Sequence, residues 1–278
     1  MVCRAWLSVA ILVLVSCGRQ TPAADEAPKL TGAAVPIAPI PEAPGIGDLD
    51  AIAKRGYLRV LIVPGRPQYV VAGGGVQRGL AVDRAVAFQV YLHSKGHPAL
   101  QVVFVPTAEN LLVEQLVAGR GDIAANLRFT FERDDQVAFS TPIRTDVREL
   151  IVTGPAVKPL VSLEDVGGRA IHVRGSSDHY ASLLRLNEQL KSIDRPGCTI
   201  VLADEALTDE DLAEQVDAGT IPATLLDDEL FGRLRRRLGQ ITANEDVAVS
   251  QGGIVAWALR KDSPALLALV NEFFRSLE

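Results

Sequence analysis

The sequence has few of the residues on which nucleic-acid-binding proteins rely. Aromatic residues make up 5% of its 278 positions, so few rings are present to stack on bases. The formal net charge is −6, whereas a phosphate backbone requires a basic surface. We therefore expect no nucleic acid among the partners of this protein. Its 48% hydrophobic and 22% charged residues are ordinary for a folded domain.

Cysteine is also scarce, with three residues in the chain. Cys3 and Cys17 lie in an N-terminal segment of the kind that is processed, which leaves Cys198 alone in the predicted folded part. A disulfide within the mature chain is thereby excluded. Cys198 opens the strand-like run CTIVL, and no neighbouring base can be assigned to it, so we interpret it as a buried core residue and not as a catalytic thiol.

The apolar run at residues 6–15 is too short to span a bilayer, but it has the length of a signal-peptide core and follows the basic Arg4. It ends in LVSC, which resembles the lipobox of bacterial lipoproteins, in which the cysteine is acylated and becomes the first mature residue. The resemblance implies a signal peptide at residues 1–16, a lipid anchor on Cys17 and a periplasmic location. Gly18 after the cysteine favours the outer membrane. The alternative is an ordinary signal peptide that happens to contain a cysteine.

Proline is concentrated directly after this segment. Residues 17–47 are rich in Ala and Pro and hold six of the sixteen prolines, namely Pro22, Pro28, Pro36, Pro39, Pro41 and Pro44. Proline at that density prevents helices and sheet ladders and favours an extended spacer. We interpret residues 17–47 as a tether and residues 48–278 as the folded part.

The folded part alternates between strand-like and helix-like patterns. Apolar runs at residues 57–63, 100–106 and 121–126 predict buried strands, and the segments 80–96 and 107–119 between them predict helices, with Thr107 as the N-cap of the second. A second series follows: strands at 148–154, 169–175, 198–204 and 223–226, helices at 178–190 and 209–217, and a final strand and helix. Thr208 and Asp211 form a capping pair.

This order predicts an α/β fold with two lobes, each a mainly parallel sheet flanked by helices. We expect lobe 1 to comprise residues 48–145 and 248–278, and lobe 2 to comprise residues 146–247. In open α/β sheets, ligands bind outside the carboxyl ends of the strands, so a ligand cleft is predicted between the lobes.

Six segments in the same order resemble the periplasmic solute-binding proteins of the polar amino-acid type: LDAIAKRGYLRVLI, GLAVDRAVAF, GDIAANLRFTFER, VAFSTP, AIHVRGSSDHY and IVAWALRKDSP. The resemblance covers residues 48–278. Two segments, FSTPIRTDVRELIVTG and AGTIPATLLDD, are most similar to the binding-protein-like N-terminal domain of membrane-bound lytic murein transglycosylase F. In that enzyme the catalytic domain follows this region, and the 278 residues of this chain hold no counterpart of its catalytic glutamate. The resemblance therefore implies a binding protein without enzymatic activity.

The resemblance also assigns a ligand-binding arginine. In the family, the arginine of a T-x-E-R motif binds the ligand's α-carboxylate, and here that residue is Arg133. A planar guanidinium matches a carboxylate with two parallel hydrogen bonds. Thr130 is expected to cap a short helix whose N-terminus adds positive potential. The alternative is a surface arginine paired with one of the neighbouring acids.

Two further residues of the same motif match positions that touch the ligand in the family. Asn126 and Arg128 stand where small or hydroxyl-bearing residues are usual. Arg128 departs from the pattern, and two interpretations are open. A second cation selects a ligand with two acidic groups, or its side chain folds over and fills the cleft.

The remaining predicted ligand contacts come from both lobes. Ser176 and Ser177 resemble the family's Gly-hydroxyl turn at a helix start, although Ser177 is also interpretable as a plain helix cap. Asp227 matches the acid that receives the ligand's ammonium group, or else it begins the next helix. Tyr69 stands where the family has an aromatic lid.

Other patterns do not predict a cofactor. The glycine-rich residues 72–79 lack the Gly-Lys-Ser/Thr ending of a phosphate loop and are interpreted as a turn. His93 and His97 are four residues apart, but Gly96 and Pro98 would end a helix there, so no metal pair is expected. The RLRRR run at residues 233–237 is interpreted as a solvated helix face.

Taken with its predicted location, the sequence indicates a lipid-anchored solute-binding protein that captures a small, amino-acid-like carboxylate between two lobes. Its partners would then be that ligand, the membrane and a transporter permease or a cell-wall enzyme. The alternative is a cell-wall-associated regulatory lipoprotein or a truncated lytic transglycosylase that binds muropeptides and a cell-wall enzyme.

The lipid anchor generates the first prediction. Cys17→Ala is expected to move the protein from the membrane fraction to the soluble fraction, because the acylated thiol is lost; cell fractionation measures this. Cys3→Ala, in the same predicted signal peptide, is the control and should not change the distribution. If Cys17→Ala leaves the membrane fraction unchanged, the protein is not a lipoprotein.

Overall fold

Residues 44–65 and 67–277 are described in the computed structural model of this protein. The predicted signal peptide, Cys17 and nearly all of the predicted tether lie outside these residues. Within the two described ranges, each helix is too short or too polar to cross a membrane.

Strands and helices alternate along most of the chain, as the sequence predicts. The strands are β1 Tyr57–Ile62, β2 Val70–Ala72, β3 Val76–Arg78, β4 Gln101–Pro106, β5 Ile123–Arg128, β6 Val137–Phe139, β7 Arg144–Thr153, β8 Ala170–Arg174, β9 Thr199–Ala203, β10 Ala223–Asp227 and β11 Ala248–Arg260. The helices are α1 Leu49–Arg55, α2 Leu80–Ser94, α3 Leu112–Val117, α4 Phe131–Asp134, α5 Asp178–Ser192, α6 Asp209–Asp217, α7 Asp228–Leu234 and α8 Pro264–Arg275.

The main strands pair in the order β4-β1-β5-β11-β7-β10-β8-β9, with β6 also on β11. At one end β1 is parallel to β4 and β5, and at the other β8 is parallel to β9 and β10. The long strands β7 and β11 run antiparallel to each other in the middle and connect the two ends. Parallel strands flanked by helices at each end confirm the predicted fold class.

The hydrophobic core is divided into four clusters. Two draw on residues 52–143 and 257–274, and they include the fully buried Phe88 and Trp257. The other two draw on residues 150–249, with Leu183 and Phe231 among their members. We call the first part lobe 1 and the second part lobe 2. Because β11 pairs with β5 of lobe 1 and β7 pairs with β10 of lobe 2, the passage from one lobe to the other lies in or beside these two strands.

A buried carboxylate fixes the start of β5, which carries much of the candidate site at its other end. Asp122 is fully buried and accepts hydrogen bonds from the backbone N–H of Arg59 at 2.8 Å and from its Nη2 at 3.0 Å. Arg55 Nη2 lies 2.5 Å and Arg260 Nη2 3.4 Å from the same carboxylate. Three arginines around one acid thus hold β1, β5 and β11 in register at this edge.

Local details match the sequence in part. Thr208 and Asp211 form the predicted capping pair, and Cys198 is buried. Thr107, however, does not cap a helix, because its hydroxyl donates to the Val105 carbonyl at 2.9 Å. A 3₁₀ turn, Glu109–Leu111, precedes the shorter helix α3. The glycine-rich residues 72–79 also form more than a turn, since they include β3, which pairs with β2 as a hairpin around Gly73–Gly75.

Candidate functional site

A cavity of about 400 Å³ lies between the lobes, at the carboxyl ends of several parallel strands. Its described lining residues are Ile62, Val63, Pro64, Gly65, Gln68, Leu80, Arg84, Glu109, Leu112, Ala125, Asn126, Leu127, Arg128, Ile143, Arg144, Arg174, Thr208, Asp209, Asp227, Glu229 and Val255. β1 and β5 contribute from lobe 1, and β8 and β10 contribute from lobe 2. The location is the one in which open α/β sheets bind ligands.

Arg128 crosses this cleft. Its Nη2 donates to Asp227 Oδ1 at 2.8 Å and lies 3.5 Å from Glu149 Oε1, both at the lobe 2 side. Its Nη1 packs against Gly253, where a Cβ atom would lie 2.9 Å away. Burial opposes the charge of the guanidinium, but the carboxylates of Glu149, Asp227 and Asp178 outweigh burial and raise the pKa of Arg128. Arg128 therefore stays positively charged and lies across part of the cleft, where the surrounding carboxylates compensate its charge.

Glu149 and His179 form a buried pair behind Arg128. Glu149 is fully buried, and its two carboxylate oxygens contact His179 Nδ1 and the donating hydroxyl of Ser182, each at 2.7 Å. Burial would raise the pKa of Glu149, but the hydrogen bond and charge of His179, with Arg128, lower it to about 2. Burial would lower the pKa of His179, but its hydrogen bond to Glu149 and the charges of Asp209 and Glu149 raise it to about 10. Both groups are charged at neutral pH.

Three side chains in this region have the composition of a metal site. Ligand atoms of Glu149, His179 and Asp227 lie within 4.8 Å of one another. The Arg128 guanidinium already contacts two of these three, at 2.8 and 3.5 Å. A divalent cation would have to displace that guanidinium, so the donor set fits the arginine better than a metal.

Arg133 lies beside the cavity and not on its described lining. Thr130 accepts from the Arg133 N–H at 3.3 Å and so caps α4, as predicted. The guanidinium forms two hydrogen bonds with Asp178 at the start of α5, at 3.0 Å from Nη1 and 2.5 Å from Nη2. Nη1 also donates to the Arg128 carbonyl at 2.9 Å. A carboxylate of lobe 2 thus occupies the fork that the sequence assigned to a ligand carboxylate.

Asn126 lines the cavity in an uncommon conformation. Its φ of 56° is left-handed, and the pairing of β5 with β11 shifts register opposite it. The bulge turns the amide toward the cleft, where Nδ2 donates to Gln68 Oε1 at 2.8 Å. Arg84 Nη1 lies 3.5 Å from Asn126 Oδ1.

Asp227 also lines the cavity, at the end of β10. It stands at the N-cap position of α7, but its side chain makes no capping hydrogen bond and instead contacts Arg128. Burial raises the pKa of Asp227 above its ordinary range, while His179 and Arg128 act in the opposite direction. The carboxylate is therefore poised beside the cavity with a cation on one side.

The other predicted site residues lie off the described lining. Ser177 caps α5 and donates to the Arg174 carbonyl at 2.9 Å, so its hydroxyl has a structural role. Ser176 bonds Glu205 through both its N–H and its hydroxyl. Tyr69 is 5% exposed and belongs to the lobe 1 core, where its hydroxyl donates to Gln77 Oε1 at 3.0 Å. The structure thus places Tyr69 inside lobe 1 and not as a lid over the cleft.

Several charged residues of the cavity were not anticipated from the sequence: Arg84, Glu109, Arg144, Arg174, Asp209 and Glu229. Arg84 lies within an ordinary helix pattern, and Glu109 lies in a segment predicted to be regular helix. Burial, together with the charges of Asp178 and Asp209, raises the pKa of Glu109 to about 8. Only the positions of these residues could have identified them from the sequence, because Arg174 and Asp209 flank predicted strand and helix ends that face the cleft.

The buried His179 predicts a pH-dependent stability. The folded pKa of about 10 exceeds the usual 6.5. The contribution of protonated His179 to the free energy of unfolding is therefore complete below pH 6.5 and is lost as the pH rises through 10. His179→Gln should therefore lower the free energy of unfolding by about 3 kcal/mol near pH 6 and by much less near pH 10. Urea denaturation across this range measures the difference.

Ser182→Ala is the matched control, since it removes a neutral contact to the same Glu149 carboxylate. Its deficit should be nearly constant between pH 6 and 10. A His179→Gln deficit that is equally constant would contradict a charged histidine in the folded state.

Comparisons with known proteins agree with this architecture. ArgBP from T. maritima in its holo form superimposes with a TM-score of 0.64 and 22% identity over 82% of this chain and 93% of that chain. AbpA from Streptococcus pneumoniae bound to L-arginine gives a TM-score of 0.64 and 18% identity over 82% and 92%. The ancestral amino acid-binding protein AncCDT-1, a precursor of cyclohexadienyl dehydratase, gives 0.63 and 24% over 82% and 92%. At these identities the similarity shows the fold.

The sequence itself carries a family match. A search of curated proteins found no significant relative. Residues 58–278, however, match the bacterial extracellular solute-binding proteins, family 3, over most of the chain. The strand order, the interlobe cavity and this match agree, and the chain belongs to the bacterial extracellular solute-binding proteins, family 3.

Proposed function

We propose that this protein captures an amino-acid-like ligand, with a carboxylate and an ammonium group, in the cavity between its lobes. The observation that carries the proposal is the cavity itself, because charged side chains of both signs reach it from both lobes. Its volume of about 400 Å³ falls in the range of small-molecule sites. The protein would act by binding and not by catalysis.

The chemistry of the cavity wall suits such a ligand. Asp227 can accept from an ammonium group, and the Asn126 amide can donate to or accept from the ligand backbone. Hydrogen bonds that involve a charged partner are shorter and stronger than neutral ones, and closure of the lobes would strengthen them by excluding water. A carboxylate bound at Arg133, as the sequence predicted, would first have to displace Asp178.

The structural neighbours support the class of ligand. AbpA is described as bound to L-arginine, and a second neighbour is an ancestral arginine-binding protein bound to arginine. We extend to this chain an amino-acid ligand, an extracytoplasmic location and a role in transport or sensing. The lipid anchor on Cys17 and a permease or a cell-wall enzyme as partner are part of the same proposal.

The proposal predicts that Asp227 contributes to ligand binding and that the adjacent Asp228 does not. Asp227 lines the cavity, whereas Asp228 pairs with Arg144 at 3.0 Å and is not among the described lining residues. Asp227→Asn should weaken binding of an amino-acid ligand about tenfold or more, which corresponds to one charged hydrogen bond, and Asp228→Asn should change it little. Isothermal titration calorimetry measures both, after a thermal-shift screen has identified a ligand.

The screen includes the common amino acids and muropeptides. Stabilisation by an amino acid supports the proposal. Stabilisation by muropeptides alone would favour the cell-wall alternative, and equal binding by the Asp227→Asn and Asp228→Asn variants would place the ligand outside this cavity.

A further inference from the structure

The carboxylate of Asp178 has the geometry of a bound ligand. Both of its oxygens meet the guanidinium of Arg133, with Oδ2 at 3.0 Å from Nη1 and Oδ1 at 2.5 Å from Nη2. Two parallel hydrogen bonds of this kind are the way in which an arginine recognises a free carboxylate. Arg133 is the residue that the sequence assigns to the ligand's α-carboxylate. Lobe 2 of the protein thus supplies the group that this arginine is expected to take from solution.

Both members of this pair are held in place by helix starts. Asp178 is the first residue of α5, directly after the N-cap Ser177, whose hydroxyl donates to the Arg174 carbonyl at 2.9 Å. Arg133 stands on α4, which Thr130 caps. The side chains of Arg133 and Asp178 are 17% and 18% exposed, so the pair is largely removed from water. An acid that is positioned in advance loses little freedom on pairing, so it competes effectively with a free carboxylate.

A second acid of lobe 2 occupies another predicted ligand contact. The N–H and the hydroxyl of Ser176 both donate to the Glu205 carboxylate, at 3.2 Å and 2.5 Å. The resemblance assigns Ser176, in the turn before α5, to the ligand. Carboxylates of this chain therefore occupy predicted ligand-binding groups of both lobes, Arg133 in lobe 1 and Ser176 in lobe 2.

Arg128 offers Asp178 a second cation. Its Nε lies 3.9 Å from Asp178 Oδ2, the same oxygen that accepts from Arg133 Nη1. Arg128 Nη1 is buried and has no hydrogen-bond acceptor among the described residues, so this guanidinium has capacity for a further one. An Asp178 carboxylate that leaves Arg133 therefore stays next to a cation, which avoids the cost of an uncompensated buried charge. Since Arg128 lines the cavity, Asp178 connects the cavity wall to Arg133.

We propose that Asp178 is a built-in competitor for the ligand's carboxylate. Without ligand it occupies Arg133, and a ligand binds by displacing it toward Arg128. This inference rests on the proposed function and keeps the carboxylate subsite at Arg133. The apparent affinity is then the intrinsic affinity multiplied by the fraction of molecules in which Arg133 is free. Asp178 thus raises the ligand concentration to which the protein responds, and it excludes ligands that have no carboxylate with which to displace it.

The test uses Asp178→Asn, which removes the charge and keeps the shape of the side chain. If Asp178 occupies Arg133 in about nine molecules of ten, its loss should raise the affinity about tenfold. The probes are the twenty common L-amino acids in a thermal-shift screen of wild type and variant. Isothermal titration calorimetry then measures the affinity of the amino acid that gives the largest shift. The α-amide of that amino acid should gain less than about twofold, because it brings no carboxylate to Arg133.

Three further variants control this measurement. Asp134→Asn removes the same charge from an exposed side chain adjacent to Arg133 in the sequence, and it should leave the affinity within about twofold of wild type. The double variant Asp178→Asn, Arg133→Met should lose the gain, because the gain acts through Arg133. Asp178→Ala also removes the hydrogen bonds of the amide and should give a gain at least as large as Asp178→Asn. Circular dichroism and thermal melts establish that each variant is folded.

The possible outcomes separate this inference from the proposed function. Binding that is tighter in the Asp178 variants, or that is detected in them alone, supports the competitor. Unchanged or weaker binding in folded Asp178→Asn and Asp178→Ala would mean that Asp178 only joins the lobes, and the proposed function would still stand. An equal gain for the amino acid and its α-amide would also contradict the competitor. If no amino acid binds wild type or either variant, the proposed function is refuted together with the inference.

Discussion

The guanidinium of Arg128 is the contact on which the arrangement of the two lobes depends. It projects from the end of β5 in lobe 1 and meets Asp227 at 2.8 Å and Glu149 at 3.5 Å on the other side of the cleft. Glu149 in turn holds His179 at 2.7 Å, so the cation is backed by a buried and charged network. Removing one partner of such a network leaves a buried charge without compensation, at a cost of about 3–5 kcal/mol. Matched charges of the two lobes therefore meet across the cleft.

This constraint explains the character of the cavity. The arginines and acids of its described lining are equal in number, so a ligand that carries both signs meets a group of opposite charge for each of its own in a site of low dielectric constant. Asp178 adds a second feature, because its carboxylate occupies Arg133 in the way a ligand carboxylate would. In this chain the arginine of the T-x-E-R motif joins the lobes through that carboxylate.

The fold was predictable because buried parallel strands leave apolar runs that can be recognised in the sequence. Asn126, Arg128 and Asp227 line the cavity because they stand at the ends of β5 and β10, and strand ends can be located from those runs. The partner of Arg133 could not be predicted, since Asp178 is 45 positions away and the pairing depends on how the lobes meet. Arg84 and Glu109 have no local motif, because each lines the cavity only together with residues that are distant in the sequence. Tyr69 was misplaced for a related reason: an aromatic residue near a cleft and one in a core have the same appearance in a single sequence.

A crystal structure of the protein grown with the amino acid that gives the largest thermal shift tests the central claim most directly, namely that an amino-acid-like ligand binds in the cavity between the lobes. The account predicts ligand density in this cavity, with the ammonium group of the ligand within hydrogen-bond distance of Asp227. A cavity that remains free of ligand at a saturating concentration of that amino acid, or ligand density elsewhere on the protein alone, would contradict it.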